Sequence, residues 1–372
     1  MAGAAVDDPN RKWRGPFCCG AQHGCLHARL GCGPGLSKKL MRRREFIAFL
    51  AGAAVLPPAI AGAQQSAKVY RIAILHPSHP VTEMTETSSL RYYRAFFEEL
   101  RRLGYVEGQN LVIERYSGEG RPENYPELAH NVASRNPDLV FALTDWMARL
   151  LKEATSTIPI VALTSDPVAA GLVPSLARPG GNLTGVSVDP GMEIWGKRFQ
   201  LFREVVPTIS KVGILALRQG RERAAMLQTA EKAGIPVVGP SAVDSGSEAE
   251  YRRFLVATSQ DGADALFVDG SAEHITKRQL IVELAAKFRL PAIYPYRSFV
   301  EAGGLMAYGT DLVEVFRQCA RSIDKILKGT NPRDVPFYQP TKFELVINLE
   351  AAKALGLSVP PSALALADEL IE

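Results

Sequence analysis

Short apolar segments of strand type alternate with amphipathic segments of helical type from residue 70 onward, and this alternation constrains the fold most. The first series of expected strands covers 71–75, 111–116, 138–143, 158–163 and 183–187. After a helix at 193–206, a second series covers 211–216, 237–238, 265–268 and 292–294. Helices are predicted between these strands at 221–233, 248–260 and 274–288. Repeated βα units of this length predict parallel sheets. Two such series predict an α/β fold of two doubly wound, Rossmann-like lobes.

The length of the chain and the order of its segments define the expected lobes. With 372 residues the chain exceeds the size at which a single core usually divides. A glycine-rich segment at 303–309, a helix at 311–328 and a segment at 335–348 follow the second series. We expect the chain to cross back there, so that several strands form a hinge. The predicted N-terminal lobe is 68–188 plus about 310–330, and the C-terminal lobe is 189–309 plus about 331–372.

The net charge of +4 comes from the start of the chain, where the first 63 residues hold nine Lys or Arg and three acids. The remainder is slightly acidic, so no nucleic-acid partner is expected. Residues 41–63 combine consecutive arginines, a short apolar run and an Ala-Gly-Ala end. This pattern is typical of a signal peptide cleaved after Ala63, and Arg43-Arg44 leaves both Sec and twin-arginine export open. We expect a periplasmic protein without a lipid anchor, since the residue directly after the cleavage point is Gln64 and not a cysteine.

Residues 1–40 precede a complete signal peptide and hold four of the five cysteines. We interpret them as a disordered extension from a mis-assigned translation start. A metal knuckle is the alternative, but the spacing lacks paired Cys-x-x-Cys and His motifs. The fifth cysteine, Cys319, is in phase with apolar residues of a helix and is expected to be a buried, inert thiol.

Motifs for cofactor chemistry and for nucleophilic catalysis are absent from the sequence. No Gly-x-Gly-x-x-Gly follows a strand, and the phosphate-loop-like segment 191–197 is followed by Arg198 instead of Ser or Thr. Neither a Gly-x-Ser-x-Gly elbow nor a His-Glu-x-x-His motif occurs. His76 and His79 could bind a metal, but solvated loop histidines are the simpler interpretation. We therefore expect neither a cofactor nor a metal, and no enzymatic activity.

Small polar and aromatic residues follow the expected strands of both series. Open α/β sheets bind ligands at these carboxyl ends. The candidate ligand-binding residues are His76, Ser78, Thr144, Asp145, Thr164, Ser165, Asp166, Ser187, Asp189, Asp269, Gly270, Ser271, Tyr294 and Tyr296.

These residues suggest separate roles in holding a small molecule. An Asp could accept from an ammonium group, and a tyrosine could cover an apolar side chain. A helix predicted to begin at Asp166-Pro167 could hold a carboxylate at its N-terminus. The alternative is that each residue only caps its own loop. We expect Asp166→Ala and Asp269→Ala to weaken binding without unfolding the protein.

Several segments closely resemble the TrpX-like family of ABC-transporter substrate-binding proteins, and the resemblance covers about 41–372. They are Ala154-Thr-Ser-Thr-Ile-Pro-Ile-Val161, Asp166-Pro-Val-Ala-Ala-Gly-Leu-Val173, Ser175-Leu-Ala-Arg-Pro-Gly-Gly-Asn182-Leu-Thr-Gly-Val186, Gly304-Leu-Met-Ala-Tyr-Gly309 and Pro340-Thr-Lys-Phe-Glu-Leu-Val-Ile-Asn348. The resemblance implies a periplasmic-binding-protein fold with a ligand cleft between the lobes, and some relatives bind aromatic amino acids. Trp146 departs from the small-residue loop expected after the third strand, which leaves the ligand class open.

The sequence thus predicts an exported, monomeric receptor that closes around a small ligand, such as an aromatic or aliphatic amino acid. The resemblance implies delivery to the membrane subunits of an ABC permease. The alternatives are a ligand sensor, which would need a basic DNA-binding module, and an enzyme on the same two-lobed fold, which would show turnover.

Overall fold

The computed structural model describes residues 68–188, 191, 193–218, 220, 222–244 and 246–372. The expected extension 1–40, the expected signal peptide and Asp189 lie outside these residues. Within them the strands are β1 (Tyr70–His76), β2 (Leu111–Ser117), β3 (Leu139–Leu143), β4 (Ile160–Thr164), β5 (Leu183–Ser187), β6 (Val212–Leu215), β7 (Val237–Val238), β8 (Ala265–Val268), β9 (Ala292–Tyr294), β10 (Met306–Thr310), β11 (Phe343–Asn348) and β12 (Glu369–Ile371).

The helices of the same residues separate most of these strands. They are α1 (Arg91–Arg102), α2 (Tyr125–Ser134), α3 (Asp145–Ala154), α4 (Glu193–Val205), α5 (Glu222–Lys232), α6 (Glu248–Gln260), α7 (Ala272–Thr276), α8 (Arg278–Lys287), α9 (Arg297–Glu301), α10 (Leu312–Leu327), α11 (Leu349–Leu355) and α12 (Pro361–Leu366). None of them has the length and apolar character needed to cross a membrane.

The N-terminal sheet is parallel throughout and has the strand order β2-β1-β3-β4-β5. Apolar side chains of α1 and α10 cover one face, where Phe96 and Phe316 pack around Phe141. Helices α2 and α3 cover the other face with Tyr125 and Met147. Because helices bury both faces, every residue of β3 is inaccessible, as is typical of a doubly wound sheet.

The C-terminal sheet has the order β12-β11-β10-β9-β8-β6-β7. Strands β6 to β10 are parallel, whereas β11 pairs antiparallel with β10. Two apolar clusters cover its faces, one including Phe202 of α4 and the other including Phe254 of α6. The predicted α/β fold with two doubly wound lobes is therefore confirmed, with an antiparallel strand and β12 added at one edge.

The chain crosses between the two lobes at three places among the described residues. It leaves β5 for α4, returns from β10 to α10, and leaves again between 338 and 343. Helix α10 packs in the N-terminal core through Phe316 and Cys319, so Cys319 is buried as expected. Residues 335–338, which the sequence assigned to the C-terminal lobe, lie beside β5, where Tyr338 N donates to Gly185 O at 2.9 Å. Their backbone satisfies the open edge of the N-terminal sheet.

Two predicted helices differ from the structure. The helix predicted at 274–288 is divided into α7 and α8 around Lys277. The helix predicted to begin at Asp166 is wrong, because 167–171 form a turn that Leu172 N closes on Pro167 O at 2.8 Å. Gly171 has φ +70° there, which redirects the chain and lets Leu172 enter the core.

Candidate ligand-binding site

The carboxyl ends of the strands in the two lobes meet across a cleft. Ser78, two residues after β1, places its Oγ 2.9 Å from Thr276 Oγ1 at the end of α7. Farther along, Arg91 and Glu301 form an ion pair at 3.2 Å. A cavity of about 20 Å³ between the lobes, lined by Tyr92 and other residues of this contact, is large enough for about one water. This side of the cleft is therefore a contact between the lobes.

The loop after β1 is held by His76. Its Nδ1 accepts from Ser78 N at 3.0 Å and from His79 N at 2.7 Å, and the two imidazole rings stack with centroids 4.0 Å apart. Burial lowers the pKa of both histidines, to about 3 for His79, so both rings are neutral at pH 7. His76 thus positions Ser78 and is itself buried beneath the loop.

The loops after β3 and β4 hold each other. Asp145 Oδ2 accepts from Ser165 N at 3.0 Å. Thr144 has φ +109°, a conformation that a threonine rarely adopts, and its Oγ1 caps α3 by accepting from Met147 N at 3.4 Å. Such strain is maintained only where the surrounding structure fixes it, and it is common at ligand sites. Thr144 and Ser165 remain partly accessible at the mouth of the N-terminal lobe.

Three other predicted residues of this lobe are engaged in local hydrogen bonds. Thr164 and Ser187 are buried and donate their hydroxyls to backbone carbonyls, the latter to Ser165 O at 2.7 Å. Asp166 Oδ1 accepts from the backbone of Val168 and Ala169 at 3.0 and 2.9 Å. These bonds shape the loop, and they occupy the N–H groups that the predicted helix would have offered to a ligand.

Asp269 is the centre of the loop after β8 and is buried. Its carboxylate accepts from Leu217 N at 3.1 Å and Ser271 N at 2.9 Å, and its Oδ1 lies 2.6 Å from His274 Nδ1. Burial alone would raise the pKa of Asp269, but the His274 charge and the hydrogen bonds outweigh burial and lower it. Ser271 Oγ also donates to Asp269 at 2.5 Å. Asp269 and Ser271 therefore organise this loop instead of projecting into the cleft.

The two predicted tyrosines lie in different environments. Tyr294 is buried in the C-terminal core and stacks on Phe299 with ring centroids 4.9 Å apart, which removes its ring from the cleft. Tyr296 is partly accessible and faces the loop after β8, because a Cβ built on Gly270 would lie 3.0 Å from the Tyr296 hydroxyl. Gly270 is thus needed for the close approach of this hydroxyl.

Two charged residues beside Tyr296 were not among the predicted site residues. Arg198 of α4 is buried, and its Nε donates to Tyr308 O at 2.7 Å. Glu222, at the start of α5, accepts from Gly270 N at 3.1 Å. Arg198 lies within the apolar stripe of α4 between Trp195 and Phe199. A charged residue in such a stripe was the signal that could have identified it.

Aromatic side chains lie beside the polar groups on the N-terminal side. Trp146 follows the loop after β3, is 41% exposed, and meets the buried Tyr125 ring edge-to-face at 5.1 Å. Tryptophan is enriched at binding surfaces because its large ring combines an apolar body with a polar N–H. Among the described residues no three His, Cys, Asp or Glu side chains are grouped as a metal site would require.

Two lobes with strand ends facing a shared cleft define a two-lobed ligand-binding protein of the periplasmic type. The family described as ABC transporter substrate binding protein matches residues 80–371, and the chain belongs to it. A tyrosine-binding protein of Clostridioides difficile (strain R20291) is 24% identical over 283 residues, which is 74% of this chain and 80% of that protein.

Solved structures agree in fold. A conserved domain protein from Vibrio cholerae O1 biovar El Tor superposes with a TM-score of 0.71 at 25% identity, covering 82% of this chain and 100% of that one. The ABC domain in complex with L-Trp from Streptococcus pneumoniae gives a TM-score of 0.70 at 24% identity, with the same coverage.

Proposed function

We propose that the protein is an exported solute-binding protein of an ABC importer, which closes its lobes around a small ligand and delivers it to a membrane permease. Membership of the substrate-binding family supports this role. The observation that carries the proposal is the meeting of strand ends from both lobes, where Ser78 bonds Thr276. A ligand that contacts both lobes only in the closed form shifts the population toward that form.

Amino acids, aromatic or aliphatic, are the proposed ligands. The support comes from the tyrosine-binding relative and from the fold shared with the L-Trp complex. In this chain the accessible polar groups proposed to contact the ligand are Ser78, Thr144, Ser165, Gly270 and Tyr296. Asp189, outside the described residues, stays a prediction. Trp146 offers an exposed aromatic surface at the same mouth.

Export is proposed from the leader sequence, with cleavage after Ala63 and a monomeric product in the periplasm. Mass spectrometry of a periplasmic fraction is expected to show a chain that begins at Gln64. A product that retains residues 1–40, or that stays with the cytoplasmic fraction, would contradict this part of the proposal.

A thermal-shift screen of the purified protein against the twenty L-amino acids, nucleosides and small carboxylates tests the binding function. A ligand at a hundredfold excess over its Kd stabilises the folded state by about 2.7 kcal/mol. We expect at least one amino acid to raise the melting temperature and to bind with 1:1 stoichiometry in calorimetry. Failure of every compound to shift the transition, or chemical turnover of a ligand that does, would refute the proposal.

A further inference from the structure

The unusual feature of the C-terminal lobe is that it buries a guanidinium with few acceptors. Arg198 is 5% exposed. Its Nε has one backbone acceptor and its Cζ lies 4.4 Å from the centroid of the Trp195 ring. Among the described residues neither Nη atom has a hydrogen-bond acceptor, and no carboxylate lies within 4.0 Å of the guanidinium. A buried charge without a partner is costly, so the folded protein maintains this one at the expense of stability.

Arg198 lies near the carboxyl ends of β9 and β10, since its Nε donates to Tyr308 O and its Nη2 lies beside Gly309. Helix α4 ends shortly before β6 begins, so the first residues of α4 lie near the carboxyl end of β6. The groups whose charges act on the pKa of Arg198 include Glu222, Tyr296 and Asp269, which follow β6, β9 and β8, and Tyr308 of β10. Ligands of open α/β sheets bind at this edge.

Glycine at position 309 lets the backbone of β10 pass close to the guanidinium and to the chain after β9. A Cβ built on Gly309 would lie 3.2 Å from Arg198 Nη2 and 1.9 Å from Pro295 O. Only glycine therefore fits where β10 passes the Arg198 side chain. Burial lowers the pKa of Arg198 and outweighs the opposing effect of Glu222 and Tyr296. The guanidinium nevertheless stays protonated at neutral pH.

We propose that Arg198 binds the carboxylate of the ligand in a bidentate manner and that Glu222 receives the ammonium group of the same ligand. The planar, forked donors of an arginine match a carboxylate, and Trp195 holds the plane of the guanidinium. Glu222 Oε2 accepts from Gly270 N, which fixes this carboxylate at the loop after β8, on the same side of Gly270 as the Tyr296 hydroxyl. This assignment rests on the proposed function and narrows the ligand to free α-amino acids.

The first experiment compares each amino acid that binds the wild-type protein with its primary amide, in wild type and in Arg198→Met. Truncating one partner of a buried charge pair weakens binding about 30-fold or more. Wild type is expected to bind the amide at least 30-fold more weakly than the acid. Arg198→Met is expected to bind both about equally, and Arg203→Met, an exposed arginine of the same helix, to behave as wild type.

The second experiment separates a ligand-binding role from a structural one without any ligand. Because neither Nη atom of the buried guanidinium has an acceptor among the described residues, the melting temperature of ligand-free Arg198→Met is expected to equal or exceed that of wild type. A fall of several degrees would overturn the assignment and show that Arg198 stabilises the fold. Glu222→Gln keeps the acceptor for Gly270 N, and it is expected to weaken binding of the amino acid while leaving binding of its deaminated analogue unchanged.

The outcomes distinguish this assignment from the proposed function. If wild type binds amino acids, and Arg198→Met discriminates acid from amide as strongly as wild type does, Arg198 does not bind the ligand carboxylate. The proposed receptor function then stands. If wild type binds no amino acid in the screen, the proposed function fails and the assignment fails with it.

Discussion

Replacing Asp269 by alanine should destabilise the C-terminal lobe strongly. The sequence alone suggested that Asp269→Ala would weaken binding in a folded protein, but the side chain is buried and holds three donors beside His274. Removing one partner of a buried ion pair costs about 3–5 kcal/mol, because the other charge loses its compensation. We therefore expect Asp269→Ala to lower the free energy of unfolding by about 4 kcal/mol. Asp269→Asn keeps an acceptor oxygen and should lower it by about half of that.

Urea unfolding followed by far-ultraviolet circular dichroism measures this loss. A matched control lies before the same strand, where Asp264 accepts from Ser210 N and Lys211 N but is only partly buried. Asp264→Ala is expected to cost about 1 kcal/mol. If Asp269→Ala costs no more than this control, Asp269 does not organise the loop and its carboxylate is available to a ligand after all.

The cost of Asp269→Ala should depend on pH in a defined direction. The folded-state pKa of Asp269 lies below its ordinary value of 3.8, so its contribution is present above that pH and is lost as pH falls. Burial alone would lower the pKa of His274, but the Asp269 charge outweighs burial and raises it above 6.5. The His274 contribution is thus complete below pH 6.5 and is lost as pH rises through the raised pKa. The difference between wild type and variant should be largest between about pH 4 and 6.5.

Three further measurements test individual contacts. Gly185→Ala should fail to fold or lose several kcal/mol of its free energy of unfolding, because the new Cβ would lie 1.8 Å from a carbonyl oxygen of β4. The control is Gly196→Ala, in a helix, where nothing lies within 4 Å of the new Cβ. It should be neutral or stabilising by up to about 1 kcal/mol. Ser78→Ala should weaken ligand affinity a few fold in calorimetry with little change in urea unfolding, since its hydroxyl bonds Thr276 only when the lobes are together. Arginine partners lower the pKa of Glu99 to about 2. The stability of wild type should therefore fall relative to that of Glu99→Gln as the pH decreases from about 4.5 toward 2. Parallel acid unfolding of the two proteins would contradict this expectation.

The fold was predictable because parallel strands buried on both faces appear as continuous apolar runs. Strands such as Leu183–Ser187 and Ala265–Val268 have the predicted limits. The turn at Asp166 was not predictable and was wrongly predicted as a helix, because a capping aspartate followed by proline begins a turn as readily as a helix. What ended it was Gly171 in the left-handed region, and sequence alone does not fix that backbone conformation.

The site was only partly predictable. Polar residues at strand ends mark the edge of each sheet at which a ligand is proposed to bind, but sequence does not show which of them are accessible there. Tyr294 and Tyr296 are two residues apart, yet one is in the core and the other beside Gly270, because β9 ends between them. Arg198 was missed because an amphipathic helix was interpreted only through its apolar residues.

The return of α10 to the first lobe has a consequence for biogenesis. Side chains synthesised more than two hundred positions after β1 complete the core around Phe141, so the first half of the chain cannot mature while it leaves the ribosome. A fragment ending at Gly309 should therefore bind a hydrophobic dye and be digested rapidly by protease, and a compact, resistant fragment would contradict this. Delayed maturation would keep most of the nascent polypeptide unfolded, as the proposed export requires if it uses a pathway that threads unfolded chains.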